Sequence, residues 1–204
     1  MIALIDFSLL PGPPVFASLS ISTIMAWRER THIDYGHTAP LLMTMVPGAA
    51  LGAVLLSLVS IERLGFLFGS VILLGVLLSL TGLRVVLTNG SAGIVGFLAG
   101  VMGGSTGIGA PPIALLYQRA SGPVVRSTLA FIYTAASLLI LIVLALFGLF
   151  GAEEMLKGLL LVPGFLLGYL CSRPLAVFFD HGGTRYIVLG VSGAAAISLI
   201  VTSL

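Results

Sequence analysis

Residues 96–117 read GFLAGVMGGSTGIGAPPIALLY, and this stretch decides the fold. It lies within an uncharged run of 34 residues, 85–118, whereas one helical membrane span needs only about 20 apolar residues. Because its glycines are dense and Pro111 and Pro112 follow them, a continuous helix is not expected. Broken backbone at membrane depth is tolerated where it is buried in protein or lines a cavity. The stretch therefore predicts a broken helix in a membrane transporter, with the binding site at the break.

Composition indicates an integral membrane protein throughout. Apolar residues make up 58% of the chain and charged residues 8%, against roughly 45–50% and 25% in soluble domains. Further uncharged stretches of about span length occur at 7–27, 39–61, 64–83, 127–152, 158–172 and 186–204. The basic residues are scattered singly, which does not indicate nucleic-acid binding. Cys171 is the lone cysteine, so no disulfide framework or zinc cluster is predicted, and no cofactor is expected.

A repeated motif, VPGxxLG, divides the chain into two halves. It occurs at 46–52 and at 162–168, and Pro14-Val15 with Ser18 resembles Pro123-Val124 with Ser127 in the same order. We interpret this as a duplication with half repeats 1–91 and 92–204. Residues 112–116 align with 1–5, so the counterpart of the glycine-rich segment would precede Met1. We therefore expect that the first half is incomplete and that its first half-helix is missing.

Charge placement predicts how the glycine-rich segment crosses the membrane. If it is a hairpin that enters and leaves on one side, seven of the nine basic residues face one compartment: Arg28, Arg30, Arg84, Arg119, Arg126, Arg173 and Arg185. If it crosses completely, four basic residues lie on one side of the membrane and five on the other, which does not fit the usual excess of Lys and Arg on the cytoplasmic side. The hairpin leaves three full spans per half, so the fold class is an all-α polytopic membrane protein with two inverted-topology repeats.

The candidate site combines the hairpin with hydroxyl residues near it. Glycines allow consecutive backbone N–H groups to converge on one anion, and a half-helix that starts after the break adds its positive dipole end. The alternative reading is close helix packing, which accounts for Gly96, Gly100 and Gly104 but not for the dense breakers that follow. The predicted substrate-binding residues are Gly104, Ser105, Thr106, Gly107, Gly109, Pro111, Ser127, Thr128, Ser18 and Ser20. Membrane-helix hydroxyls also often bond their own backbone, so Thr128→Val is the expected test, with slower flux at an unchanged protein level.

The segment 96–117, followed by Arg126-Ser127-Thr128, resembles the second-half signature of the TauE/SafE sulfite exporter family. Ala110 departs from the family pattern GxGGP at this point. The resemblance implies a permease or exporter of a small sulfur-containing anion, such as sulfite or an organosulfonate, working by alternating access around the hairpins. It further implies an integral protein of the prokaryotic plasma membrane with cytoplasmic basic loops. Small-residue faces would permit a homodimer.

Other readings remain open at the level of sequence. A non-transporting scaffold would show the same small-residue faces. Residues 103–107 satisfy G-x-S-x-G, the serine-hydrolase pattern, but that motif needs a preceding strand and a histidine. Cation transport is disfavoured because the spans carry no acidic pair. Among charged or titratable residues, Asp6 is a candidate for proton coupling and Arg173 for an interfacial position. Arg119 and Arg126 flank the hairpin mouth, where they set orientation or attract the anion, and His32, His37 and His181 fall in solvated loops.

Overall fold

The computed structural model describes residues 11–59, 64–80, 85–117, 120, 122–179, 193–194 and 198. Over this part of the chain every regular element is helical. The main helices are α1 Gly12–Arg28, α2 Thr38–Leu58, α3 Leu64–Leu80, α4 Asn89–Thr106, α5 Ala110–Tyr117, α6 Gly122–Leu146 and α7 Ala152–Phe179. A short 3-10 turn, Arg30–His32, lies between α1 and α2. The predicted all-α fold class is confirmed.

The helices have the length and surface of membrane spans. Three of the described segments are long and apolar enough to cross a bilayer, namely Thr38–Leu58, Pro123–Leu146 and Ala152–Cys171, and Phe66–Leu77 is a shorter apolar helix. Large apolar side chains point outward, as Met43 and Leu160 do, each 74% exposed. Such faces suit lipid rather than water. The chain is therefore a polytopic integral membrane protein.

The contact between α2 and α4 is the most extensive between any two described helices. It is built from glycines, so backbone meets backbone: Gly96 lies against the carbonyl of Leu41, Gly100 against that of Met45 and Gly104 against that of Ala49. These contacts advance together along both helices, so α2 and α4 run parallel. Small residues that allow close approach are typical of helix pairs in membranes. This contact holds α4 rigidly up to the break that follows it.

Helix α5 folds back along α4. A Cβ atom on Gly109, just before α5, would lie 2.6 Å from the carbonyl oxygen of Ala99, in the second half of α4. At the other end of α5, Tyr117 packs in one apolar cluster with Ala92, near the start of α4. Helices α4 and α5 therefore form a hairpin with both ends at one end of the bundle. This is the broken hairpin that the glycine pattern predicts.

The two VPGxxLG helices, α2 and α7, run in opposite directions. Gly12 lies against Phe150, beyond the end of α6, while Glu29, after α1, pairs with Arg126 near the start of α6. Helix α1 is therefore antiparallel to α6. Helix α7 is parallel to α1, because Gly158, near the start of α7, lies against Phe16, near the start of α1. Helix α2 is parallel to α6, because Asp34, just before α2, bonds Thr128 near the start of α6. Opposite directions are what an inverted repeat requires, and the symmetry between 1–91 and 92–204 stays a prediction.

Some predictions concern residues that lie outside the described part of the chain. They are the alignment of 1–5, Asp6, His181, most of the last span 186–204, Arg84, Arg119, Arg185 and the side chain of Arg173.

Candidate functional site

The break between α4 and α5 depends on a glycine in the left-handed region. Gly107 has φ +77°, and its N–H donates to the carbonyl oxygen of Gly103 at 2.8 Å. A Cβ atom here would lie 3.1 Å from Cγ2 of Val15 and 3.2 Å from the carbonyl oxygen of Pro11. Glycine alone fits both this conformation and this close approach without strain. The backbone conformation of Gly107 therefore determines the break, which packs against the start of α1.

Two backbone amides at the start of α5 have no hydrogen-bond partner among the described residues. The amide of Ile108 donates to Oγ1 of Thr106 at 3.3 Å. Pro111 and Pro112 carry no N–H. The amides of Gly109 and Ala110 form no hydrogen bond within the described residues. They lie at the positive dipole end of α5, where an anion is stabilised.

A cavity of about 350 Å³ lies beside the break. Helices α1, α5 and α6 and the break itself form most of its wall, and α2, α4 and α7 each add one residue. Its lining consists of Val15, Ser18, Ile21, Ser22, Met25, Met45, Ala99, Gly107, Ile108, Gly109, Ala110, Ile113, Tyr133, Ala136, Ser137, Ile140 and Phe165. The cavity therefore brings the unpartnered end of α5 together with four hydroxyl side chains inside an apolar wall.

Three predicted site residues line this cavity, namely Ser18, Gly107 and Gly109. The hydroxyl of Ser18 donates to its own helix, to the carbonyl oxygen of Val15 at 2.9 Å. Two further predicted residues have packing contacts instead. Gly104 lies against Ala49, and Pro111 lies beside Gly75, where a Cβ would be 3.1 Å from the proline Cγ.

The hydroxyls of Ser105 and Thr106 turn back into α4. Both side chains are 1% exposed. Ser105 Oγ donates to the carbonyl oxygen of Val101 at 2.7 Å, and Thr106 Oγ1 donates to that of Met102 at 2.8 Å. Hydroxyls bonded in this way stabilise the last turn before the break. Ser105 also lies inside a helix rather than on the strand-to-helix turn that a hydrolase nucleophile occupies.

Ser127 and Thr128 lie at the start of α6, outside the cavity lining. Ser127 Oγ donates to the carbonyl oxygen of Pro123 at 2.9 Å. Thr128 is fully buried, and its Oγ1 accepts the backbone N–H of Asp34 at 2.9 Å. Thr128 thus fixes the loop between α1 and α2. Ser20 is half-buried on α1 and is likewise outside the lining.

Three polar lining residues were missed by the sequence reasoning, namely Ser22, Tyr133 and Ser137. Ser22 Oγ donates to the carbonyl oxygen of Leu19 at 3.1 Å, and Tyr133 Oη donates to that of Ala110 at 3.5 Å. Ser137 is 7% exposed, and its hydroxyl has no hydrogen-bond partner within the described chain. Ser127, Tyr133, Thr134 and Ser137 recur on one face of α6, and this helical spacing is the signal that could have pointed to Tyr133 and Ser137.

An ion-pair cluster joins α1 and α6 at the end of the bundle where the hairpin opens. Glu29 Oε1 is 3.1 Å from Nη2 of Arg28, and its Oε2 is 3.5 Å from Nε of Arg126. The hydrogen bond from Arg28, with a smaller contribution from the charge of Arg126, lowers the pKa of Glu29 below its usual value. In the same loop, Asp34 accepts from the Gly36 amide and pairs with His37. Within the described residues no His, Cys, Asp and Glu group could hold a metal ion.

The sequence matches the family model described as sulfite exporter TauE/SafE over residues 7–199. No curated protein and no solved structure matches the chain. The family match spans both halves and includes the whole hairpin. The chain, an all-α polytopic membrane protein, therefore belongs to the TauE/SafE sulfite exporter family.

Proposed function

We propose that this protein carries a small sulfur-containing anion, sulfite or an organosulfonate, through the cavity at the α4–α5 break. The observation that carries the proposal is that the cavity is lined by the break itself, Gly107 to Ala110. Discontinuous helices that present freed backbone to a cavity are how many transporters hold their ions. Family membership supports the substrate class.

The chemistry of the site suits binding that must also be reversible. The amides of Gly109 and Ala110, which form no hydrogen bond in the described chain, are neutral donors at the positive end of α5. Two neutral donors stabilise an anion less than an arginine would, so release does not require breaking an ion pair. We propose that α1 and α6, which both line the cavity, move relative to the hairpin to give alternating access.

The basic residues at the two ends of the bundle indicate how the protein is oriented in the membrane. Arg28, Arg30 and Arg126 lie at the end of the bundle where the hairpin opens, together with Glu29. Lys157, at the opposite end, lies 2.8 Å from Glu153. We propose that the arginine-bearing end is cytoplasmic and that the membrane is the prokaryotic plasma membrane.

The test is flux of labelled sulfite into proteoliposomes, using two glycine variants with the same backbone strain. Gly107 and Gly148 have φ +77° and +71°, and a Cβ on Gly148 would contact no described residue within 4 Å. Either alanine costs about 1–2 kcal/mol of conformational energy, but only Gly107→Ala alters the break. We expect flux in the wild type and in Gly148→Ala, and strongly reduced flux in Gly107→Ala.

Absence of sulfite and organosulfonate flux in a folded wild type would contradict the proposal and favour the scaffold reading. The hydrolase alternative has a separate test. Ser105 would have to react with a serine-directed probe, and Ser105→Ala would have to remove that label. We expect no labelling, because the Ser105 hydroxyl is buried and bonded within its helix.

A further inference from the structure

The cavity-facing side of α1 continues beyond the cavity to Glu29. Four lining residues of α1 follow one another in steps of three or four along the helix, namely Val15, Ser18, Ser22 and Met25. Glu29 takes the next step of four, and its N–H still donates to the carbonyl oxygen of Met25 at 2.9 Å. Because residues three or four apart lie on one helix face, Glu29 lies one turn past the lining on the same side of α1.

The cavity-facing side of α6 leads in the same way to Arg126. Three of its lining residues follow one another in steps of three and four, namely Ile140, Ser137 and Tyr133. The next two steps toward the start of α6 reach Ala130, which is buried, and then Arg126. Since α1 and α6 are antiparallel, Arg126 and Glu29 both lie beyond the same end of the cavity.

These two charged residues connect α1 with α6. Glu29 Oε2 lies 3.5 Å from Nε of Arg126, and Oε1 of the same carboxylate lies 3.1 Å from Nη2 of Arg28. The ion pair is therefore placed where both helices leave the cavity, and it lies across the space between them.

The loop that follows α1, residues 29–37, is held to α6 at two further points, and we call it the strap. The backbone N–H of Asp34 donates to Oγ1 of Thr128 at 2.9 Å. The rings of Tyr35 and Phe131 meet edge to face, with centroids 5.5 Å apart and an interplanar angle of 75°. With the ion pair, three contacts hold the strap along the first turns of α6.

The two ends of the contact between α1 and α6 differ in how easily they can separate. At the end away from the strap the packing is close, because a Cβ atom on Gly12 would lie 2.6 Å from Cδ2 of Phe150. At the strap end, Arg126 and Tyr35 are exposed and Glu29 is partly exposed. Water and salt weaken exposed charged contacts of this kind. Separation of α1 from α6 is therefore easiest at the strap end.

We propose that the strap and the Glu29–Arg126 pair form a gate at the arginine-bearing end of the cavity. While the contacts with α6 hold, the cavity is closed toward this end. When they release, α1 moves away from α6 and the cavity opens. This inference rests on the proposed function, because it takes the cavity to be the transport site and names the part that moves in alternating access.

The experiment measures how fast a cysteine in the cavity reacts with a charged, membrane-impermeant methanethiosulfonate added to inverted vesicles, which present the proposed cytoplasmic end. Cys171 is the lone cysteine of the chain and is exposed, so Cys171→Ser gives a cysteine-free background for Met25→Cys. Glu29→Gln and Arg126→Gln should each accelerate labelling by up to about fivefold at low salt. Tyr35→Ala should accelerate it about two- to tenfold.

The design separates opening of the gate from a change in local charge. Glu29→Gln and Arg126→Gln change the charge in opposite directions, so an altered reagent concentration would accelerate one reaction and slow the other. The double variant should label no faster than the faster single variant, because both substitutions remove the same contact. Glu153→Gln is the matched control, since it removes the 2.8 Å pair with Lys157 within α7 and should leave labelling unchanged. Trp27→Cys, 71% exposed at the strap end of α1, reports the reagent concentration there.

Labelling rates that stay unchanged in Glu29→Gln, Arg126→Gln and Tyr35→Ala would overturn the gate, and sulfite flux in the wild type would then leave the proposed function standing. Opposite changes in the two glutamine variants would also overturn it, because they would report charge rather than closure. Faster labelling in a folded chain that moves neither sulfite nor an organosulfonate would support a closing contact over the cavity and contradict the proposed function.

Discussion

Gly109 and Ala99 approach so closely that a Cβ atom on Gly109 would lie 2.6 Å from the carbonyl oxygen of Ala99. Both partners in this contact are backbone, so neither can turn aside as a flexible side chain would. The contact sets the distance between α5 and α4, and with it the position of the free amides at Gly109 and Ala110. The hairpin geometry is therefore encoded by the absence of a side chain at one residue.

Gly109→Ala should displace α5 and impair transport. Overpacking of this kind costs about 1–3 kcal/mol, so we expect a lower melting temperature in detergent and reduced anion flux per folded molecule. Gly93→Ala is the control on the same hairpin, because its Cβ would make an ordinary 3.5 Å contact with Cγ2 of Thr44. Equal flux and equal stability in the two variants would show that the close approach at Ala99 is not needed.

The last glycines of the two VPGxxLG motifs should respond differently to the same substitution. A Cβ on Gly52 would meet the carbonyl of Val101 and lie 2.8 Å from the amide nitrogen of Ser105, whereas a Cβ on Gly168 would have no atom of the described residues within 4 Å. Gly52→Ala should force α2 away from α4 and reduce folded yield. Gly168→Ala should be neutral or slightly stabilising, since alanine favours a helix by up to about 1 kcal/mol.

Thermal unfolding and yield after purification would measure this difference. The comparison is internal, because both glycines occupy the same position of the same motif within a helix. A comparable loss of stability in Gly168→Ala would mean that this residue is not exposed and that another helix packs against it.

The sequence predicted the break in the hairpin well, because the physical signal there is local. Gly107 must adopt a positive φ, and Pro111 with Pro112 stops α4 from continuing, so the residues themselves dictate the turn. The proline of a VPG motif does not by itself indicate a break in the helix, since Pro47 and Pro163 both lie inside continuous helices. There a neighbouring helix decides whether proline interrupts the backbone.

The candidate site was harder to predict, because hydroxyl direction depends on tertiary contacts. Ser105 and Thr106 lie in the expected segment but donate into their own helix. Ser137 carries no motif, and only the packing of α6 beside the break places it in the cavity. The helical spacing of Ser127, Tyr133, Thr134 and Ser137 marks one polar face of α6, but spacing alone does not show which part of that face lies beside the break.

Thr128→Val tests whether the hydroxyl at the start of α6 acts on structure or on substrate. The substitution keeps the shape of the side chain but leaves the Asp34 amide without its 2.9 Å acceptor. Loss of a buried partner costs about 1–3 kcal/mol, so we expect a lower melting temperature and a less ordered loop. Ser127→Ala should have a smaller effect, because Ser127 bonds only carbonyls of its own helix.

The two roles of Thr128 separate when flux is divided by the amount of folded protein. Flux that falls only as far as stability does would assign Thr128 to the loop contact. A loss of flux at an unchanged melting temperature would instead support the predicted role in substrate binding.

Glu29 should make stability depend on pH below its ordinary titration range. The hydrogen bond from Arg28 comes first and the charge of Arg126 second in lowering the pKa of Glu29 in the folded state. A carboxylate with a depressed folded pKa contributes stability above its unfolded pKa, about 4.3, and loses that contribution as pH falls through the folded value. Because Glu29 is 22% exposed and Arg126 58%, the contribution should be only about 0.2–1 kcal/mol at low salt.

Melting temperatures of the wild type and Glu29→Gln, measured from pH 7 down to pH 3, would check this prediction. The wild type should be more stable at neutral pH, and the two curves should converge only as the pH falls through the lowered folded pKa of Glu29 and the carboxylate becomes neutral. Added salt at pH 7 should shrink the difference, since exposed charges are screened. A difference that persists unchanged at low pH would mean that Glu29 stabilises the α1–α6 contact through packing or neutral hydrogen bonds rather than through its charge.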